Sequence, residues 1–272
     1  MADDSVADLV RRYDRDRYIA DLFAPEAARQ HLFALHAFHA EINRIPDAVS
    51  DPMLGEIRLQ WWRDAIASNA AGGHPIAGAL LETIETFHLP VDAFTRLIDA
   101  RVFDLYDDPM PTLNDLEGYA GDTSSALIQL AAIILSGGAD PGTAVAAGHA
   151  GVAIAMTLHM RALHLHMRGT FIPRDLMDAR SVDAKDLNRG EATPELKALL
   201  GDLRAVARRH LVEAERGVAE LSGPVRVAFL PLALVEPHLK RMDHAGYDPF
   251  SAAAELPAWR RQWIIWQAAR RK

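Results

Sequence analysis

The sequence predicts an all-α fold. Three observations carry that reading. Apolar residues recur three and four apart through nearly the whole chain, as they do on one face of a helix. Prolines and N-cap residues stand at the starts of these runs, and glycine pairs close two of them. No stretch alternates β-branched and polar residues as a half-buried strand does. The 272 residues, half of them hydrophobic, are enough for one large core. No linker or internal repeat divides them, so one domain over 1–272 is expected.

The first long amphipathic run is 26–45, with Leu32, Leu35, Phe38 and Ile42 on one face. Pro25 starts it, where a missing N–H costs nothing, and Pro46 ends it by disfavouring α geometry just before itself. A second helix over 53–68 stops before Gly72-Gly73-His74-Pro75. Helices over 76–87 and 91–106 follow, split at Leu89-Pro90. Thr112 reads as an N-cap, with Asp115 three residues on, for a helix reaching Leu135 and stopped by Ser136-Gly137-Gly138. Asp140-Pro141 opens a helix expected to run to Met167. The stretch 168–189 reads as the longest irregular loop. Thr193-Pro194-Glu195 opens another long helix, to Leu221, and helices over 224–243 and 257–269 complete the set.

Composition excludes several functions. Without cysteine there is no disulfide framework, thiolate metal site or cysteine nucleophile. A net charge of −8 lacks the cationic field that nucleic-acid binding needs. The longest apolar stretches, 126–135 and 144–158, fall short of the roughly 20 residues of a spanning helix. The opening MADDSVADLVRRYDRDRY has neither a secretory signal pattern nor a transit-like leader, so a cytoplasmic protein is expected.

Motifs that carry chemistry are few. The chain has no phosphate-cradling glycine loop, no HExxH and no GxSxG. His36 with His39, and His164 with His166, are the histidine clusters; polar helix positions explain them more simply than a metal site. Asp104, Asp107 and Asp108 have the hard oxygen chemistry of Mg²⁺ ligands, but a helix end entering the turn Asp108-Pro109 accounts for them more simply.

Six segments in order resemble the squalene/phytoene synthase family: HLFALHAFHAEINRIPDAVSD (31–51), RLQWWRDAI (58–66), GGHPIAGAL (72–80), GYAGDTSSALIQL (118–130), GVAIAMTLHMRALHLHMRGTFIP (151–173) and AGYDPF (245–250). The resemblance implies an isoprenoid-synthase-like helical bundle around a central cavity. It also implies enzymes that join prenyl diphosphates, with Mg²⁺ held by aspartates on two facing helices. Two such aspartates at i and i+4 share a helix face, and the metal neutralises the departing diphosphate.

The chain departs from that pattern where the metal would sit. The first motif's aspartates fall at Asn43 and Asp47, and the second motif's at Ala162 and His166. The polar positions before the second motif become Ala155 and Leu158. From Ala144 to Thr170 there is no Asp or Glu. Amide and imidazole groups do not replace carboxylates around Mg²⁺. The resemblance is closest to a branch that includes a mitochondrial complex I assembly factor. It implies a kept fold, lost synthase chemistry, no catalytic or metal-ligating residue and no cofactor. Partners would be subunits or assembly factors of a membrane complex, on the inner face of the inner membrane. The expected cavity lining is Phe38, His39, Ala155, Leu158, His159 and Phe171.

Two other readings stand beside this one. An active prenyltransferase would need Mg²⁺ on a rearranged site, drawing on Asp47 and the acids of 104–108. A binding protein would use the cavity for an isoprenoid or other lipid. The C-terminus adds a separate signal: Trp259, Trp263 and Trp266 share one helix face, flanked by Arg260, Arg261, Arg270, Arg271 and Lys272. The simplest expectation is that the tryptophans pack onto the domain. The alternative is contact of Trp259, Trp263, Trp266, Arg270, Arg271 and Lys272 with an anionic membrane surface.

Overall fold

The structure is a computed structural model that describes residues 2–164, 171–251 and 255–271. Fourteen α-helices account for most of them, and no strand occurs among the described residues. The N-terminus, given no element above, forms α1 (Ala2–Tyr13) and α2 (Arg15–Asp21). Asp14 caps α2 by accepting from the Arg17 N–H. The helix α3 (Glu26–Asn43) stops before Pro46, which starts a 3₁₀ turn at Pro46–Ala48. Asp51 caps α4 (Pro52–Ser68) from just outside, accepting from the Met53 N–H at 2.9 Å.

Next come α5 (Pro75–Phe87) and α6 (Val91–Ala100). The expected continuation of α6 to 106 is replaced by a 3₁₀ turn at Phe103–Leu105. Thr112 caps α7 (Leu113–Ala120) through the Asp115 N–H, as the sequence predicts. The predicted helix to Leu135 is interrupted, however: a π-helical turn at Gly121–Ser125 separates α7 from α8 (Ala126–Leu135). Gly151 of α9 lies directly against that turn. A Cβ there would stand 2.3 Å from the Ser125 backbone nitrogen, so only glycine lets the two segments meet.

The helix α9 (Ala144–Ala162) starts after Thr143, later than Asp140-Pro141, and ends before the predicted 167. Much of the expected loop 168–189 is helical, as α10 (Arg174–Arg180) and α11 (Ala184–Arg189). Short helices with an αL residue at their ends, here Ser181 and Gly190, leave too little periodicity to read from sequence. The helix α12 (Pro194–Ala219) packs along α9. The predicted helix 224–243 is a 3₁₀ segment (Gly223–Leu234), with Pro231 inside it, followed by α13 (Val235–Met242). Finally α14 (Ala258–Arg270) packs on α2 and on the 3₁₀ segment.

Two large cores result. One gathers α7, α9, α12 and α13; the other gathers α1, α3, α5, α6 and α8 around the fully buried Phe38 and Phe94. A small third core, Ala20, Leu230, Leu234 and Ile265, seats α14.

Candidate functional site

A cavity of about 860 Å³ lies between the C-terminal ends of α3 and α9. Pro46 sets its position: by ending α3 it turns the chain into the cavity rim, so Asn43, Asp47 and Ser50 line one side. The end of α6 supplies the adjoining wall with Arg101, Asp104 and Asp107. Across from these, α9 presents Met156, His159, Met160, Ala162 and Leu163, backed by Leu200 and Leu203 of α12. One wall therefore carries the acids, and the facing wall is apolar except for His159.

Arg101 organises the polar wall. Its Nη1 donates to Asp104 Oδ2 at 2.9 Å and to the Tyr119 hydroxyl at 2.6 Å, and that hydroxyl donates to Asp104 Oδ1 at 2.8 Å. Its Nη2 lies 3.2 Å from His39 Nε2, which must accept and so leaves the imidazole proton on Nδ1. Burial, together with the charges of Arg17 and Arg101, holds His39 well below the usual imidazole range. Burial likewise pushes the Tyr119 phenol far up, with Asp104 adding to it. Arg101 stays charged: Tyr119 and Asp104 more than offset the cost of burial. Aromatic rings continue the site inward, His159 stacking on Phe171 with centroids 3.8 Å apart, and Tyr119 5.4 Å from Phe171.

The predicted residues divide accordingly. Asn43, Asp47, Ala162, His159 and Phe171 line one cavity. Phe38 does not: it is buried in the second core, edge-on to Trp62 and Phe94, because its side of α3 faces α4 and α6. His39 lies behind the lining, in contact with Arg101 and near Asn43. Ala155 is buried in the first core, outside the lining. Leu158 is 40% exposed and faces a small separate pocket beside Asp14, Arg17 and His238, since α9 is rotated so that 156, 159, 160 and 163 point inward. His166 lies outside the described residues. Arg101 and Tyr119, which the sequence reading did not select, are at the centre. An arginine at a helix end with Asp three residues on was the available signal for the first.

Among the described residues, the donor set does not suit Mg²⁺. Asp104 is engaged by Arg101 and Tyr119, and the wall opposite Asp47 offers alanine, leucine, methionine and imidazole. No group of three or more acids and histidines among the described residues is arranged to hold a metal.

A profile of the squalene/phytoene synthase family matches residues 10–267. The chain belongs to that family. It is 29% identical over 248 residues to NADH dehydrogenase (ubiquinone) complex I, assembly factor 6 of Bos taurus, covering 89% of this chain and 74% of the relative. Phytoene synthase of Thermus thermophilus is 27% identical over 266 residues, covering 94% and 89%. The squalene synthase HpnC structure from Alicyclobacillus acidocaldarius superposes with a TM-score of 0.78 at 23% identity, over 92% of this chain and 95% of that one. At that identity the likeness establishes the isoprenoid-synthase-like fold of this family member.

A second site lies on the surface. The expected packing of the tryptophans onto the domain is met only in part: Ile265, fully buried, seats α14, Trp266 is half-buried, and Trp259 and Trp263 face outward. Trp259 is 69% and Trp263 51% exposed; Trp266 stacks on Trp263 at 4.8 Å, with the Arg270 guanidinium 3.9 Å from its ring centre. Tyr18, Leu22 and Phe23 of the N-terminal region complete an apolar groove of about 1010 Å³, with Arg11 and Arg15 on its rim. Lys272 lies outside the described residues. No helix among the described residues is long and apolar enough to cross a membrane.

Proposed function

We propose that this family member is non-catalytic and acts in the assembly of a respiratory NADH dehydrogenase complex, at the inner face of an anionic membrane. The observation that carries this is the wall facing Asn43 and Asp47, which presents Ala162 at one of the second motif's two aspartate positions and Leu163 beside it. A diphosphate there would have no metal bridge, and an uncompensated phosphate charge against apolar walls is costly. The similarity to complex I assembly factor 6 supports the partner class. The exposed tryptophans beside arginines support a membrane surface.

Deleting the gene in its host and resolving membrane complexes on native gels tests this reading. Assembled NADH dehydrogenase should fall, and both the wild-type gene and Asp47→Asn should restore it. Rescue by wild type but not by a stably folded Asp47→Asn would restore the metal-dependent reading. So would Mg²⁺-dependent release of pyrophosphate from farnesyl diphosphate by the purified protein. An unchanged complex would refute the assembly role.

A further inference from the structure

We infer that His149 and His210 form a binding site for a borderline divalent transition-metal ion, Zn²⁺ being the type, which ties α9 to α12. The site is separate from the central cavity, since neither histidine lines it, and it does not depend on the assembly role. The two residues are 61 apart in sequence, and the packing of α9 along α12 brings their Nδ1 atoms to 2.9 Å. The two helices are in close contact nearby. Gly217 of α12 lies against Ala146 of α9, and a Cβ on the glycine would stand 2.7 Å from the alanine methyl. The imidazoles are therefore carried by two helices in tight contact, and sites on helices are held more precisely than sites on loops.

Glu117 of α7 sets the protons. Its Oε1 lies 3.3 Å from His210 Nε2, so in the neutral ring that nitrogen donates to the carboxylate and Nδ1 presents its lone pair. His149 Nδ1 then donates to His210 Nδ1. A carboxylate behind a histidine, with the lone pair of the other ring nitrogen facing forward, is how metal-ligating imidazoles are oriented. An ion between the rings requires one rearrangement, the transfer of the His149 proton from Nδ1 to Nε2, and both rings stay neutral. A tetrahedral ion about 2.0–2.1 Å from each nitrogen needs the pair roughly 3.3–3.4 Å apart, so the rings need separate by only a few tenths of an ångström. Imidazole nitrogen suits Zn²⁺, Cu²⁺ and Ni²⁺, whereas Mg²⁺ and Ca²⁺ take oxygen. Water completes the coordination and has access, with the His210 side chain 17% and that of Glu117 33% exposed. Glu117 acts through His210 and is a positioning residue.

The test is calorimetric titration of Zn²⁺ into the untagged full-length protein, with Mg²⁺ as the control. One Zn²⁺ per chain should bind and raise the melting temperature, and Mg²⁺ should do neither. His149→Gln and His210→Gln should each lose that binding, and Glu117→Ala should weaken it by about ten- to a hundredfold. His244→Gln, at an exposed histidine outside the site, should leave it unchanged. A readout on the wild type is independent of how the variants fold. With ¹⁵N-labelled histidine, Zn²⁺ should shift the Nδ1 resonances of two of the twelve histidines and convert one of those two from the Nδ1–H to the Nε2–H form. No Zn²⁺ binding by the wild type, binding undiminished by both His149→Gln and His210→Gln, or binding lost in His244→Gln overturns the inference and leaves a hydrogen-bonded pair. Unchanged affinity in Glu117→Ala overturns its positioning role. None of these outcomes bears on the assembly role, which the native gels test.

Discussion

His39 is neutral because of what surrounds it. Its ring is buried, and a guanidinium, that of Arg101, points at Nε2. Protonating it would set two cations against each other out of water. The unfolded chain has no such restriction and takes up the proton near pH 6.5. Below that value the unfolded state binds more protons than the folded one, so stability is present above pH 6.5 and is lost as pH falls toward the lower folded value. The loss approaches about 1.4 kcal/mol per pH unit for this one group. Urea unfolding of wild type and of His39→Gln between pH 7.5 and 5 checks this. The variant should show the shallower decline, whatever its absolute stability, and parallel curves would remove His39 from the pH dependence. At this scale the sequence was informative about position: Asn43, Asp47 and Ala162, named without coordinates, line one cavity. It was silent on Arg101 and Tyr119, since nothing local brings α6, α7 and α3 to one point.

Among the elements, helices with long periodic faces and explicit caps were legible: α3, α5, α12 and the start of α7. What escaped was set by packing. The π turn between α7 and α8 exists where α9 comes within backbone distance, at Gly151. The inward face of α9 was misjudged at Leu158 because nearly every residue of that helix is apolar or small, so periodicity does not choose a face. Two glycines of α9 separate these effects. Gly151→Ala pushes a methyl into the Ser125 backbone and should destabilise by about 1–3 kcal/mol. Gly148→Ala meets no atom within 4 Å and should be neutral or stabilise by up to about 1 kcal/mol, the helix propensity gain. Thermal melts of the two variants measure the difference. Equal effects would mean that α9 and the π turn do not touch as described.

Across the whole molecule the charge distribution sets up a contest. The body carries −8, which an anionic bilayer repels, yet one groove joins the two chain ends with exposed aromatic rings and arginines. The sequence pointed to the C-terminal half of this surface; the N-terminal half, Arg11, Arg15, Tyr18, Leu22 and Phe23, emerges only when α2 is packed against α14. Each cation near an anionic leaflet contributes about 1 kcal/mol. Arg11, Arg15, Arg270 and Arg271 together would supply roughly 4 kcal/mol, less whatever the ion pair of Arg11 with Asp8 withdraws. Such binding would be reversible and salt-sensitive, and insertion of the exposed Trp259 and Trp263 would add a term that salt does not screen. Co-sedimentation with vesicles containing anionic lipid should therefore pellet the full chain at low salt and much less at high salt. Truncation after Gln267 should weaken pelleting, and Arg11→Glu with Arg15→Glu should weaken it further, with uncharged vesicles as the control. Pelleting that ignores salt and both changes, or none at all, would detach this groove from the membrane and leave it as a surface for a protein partner.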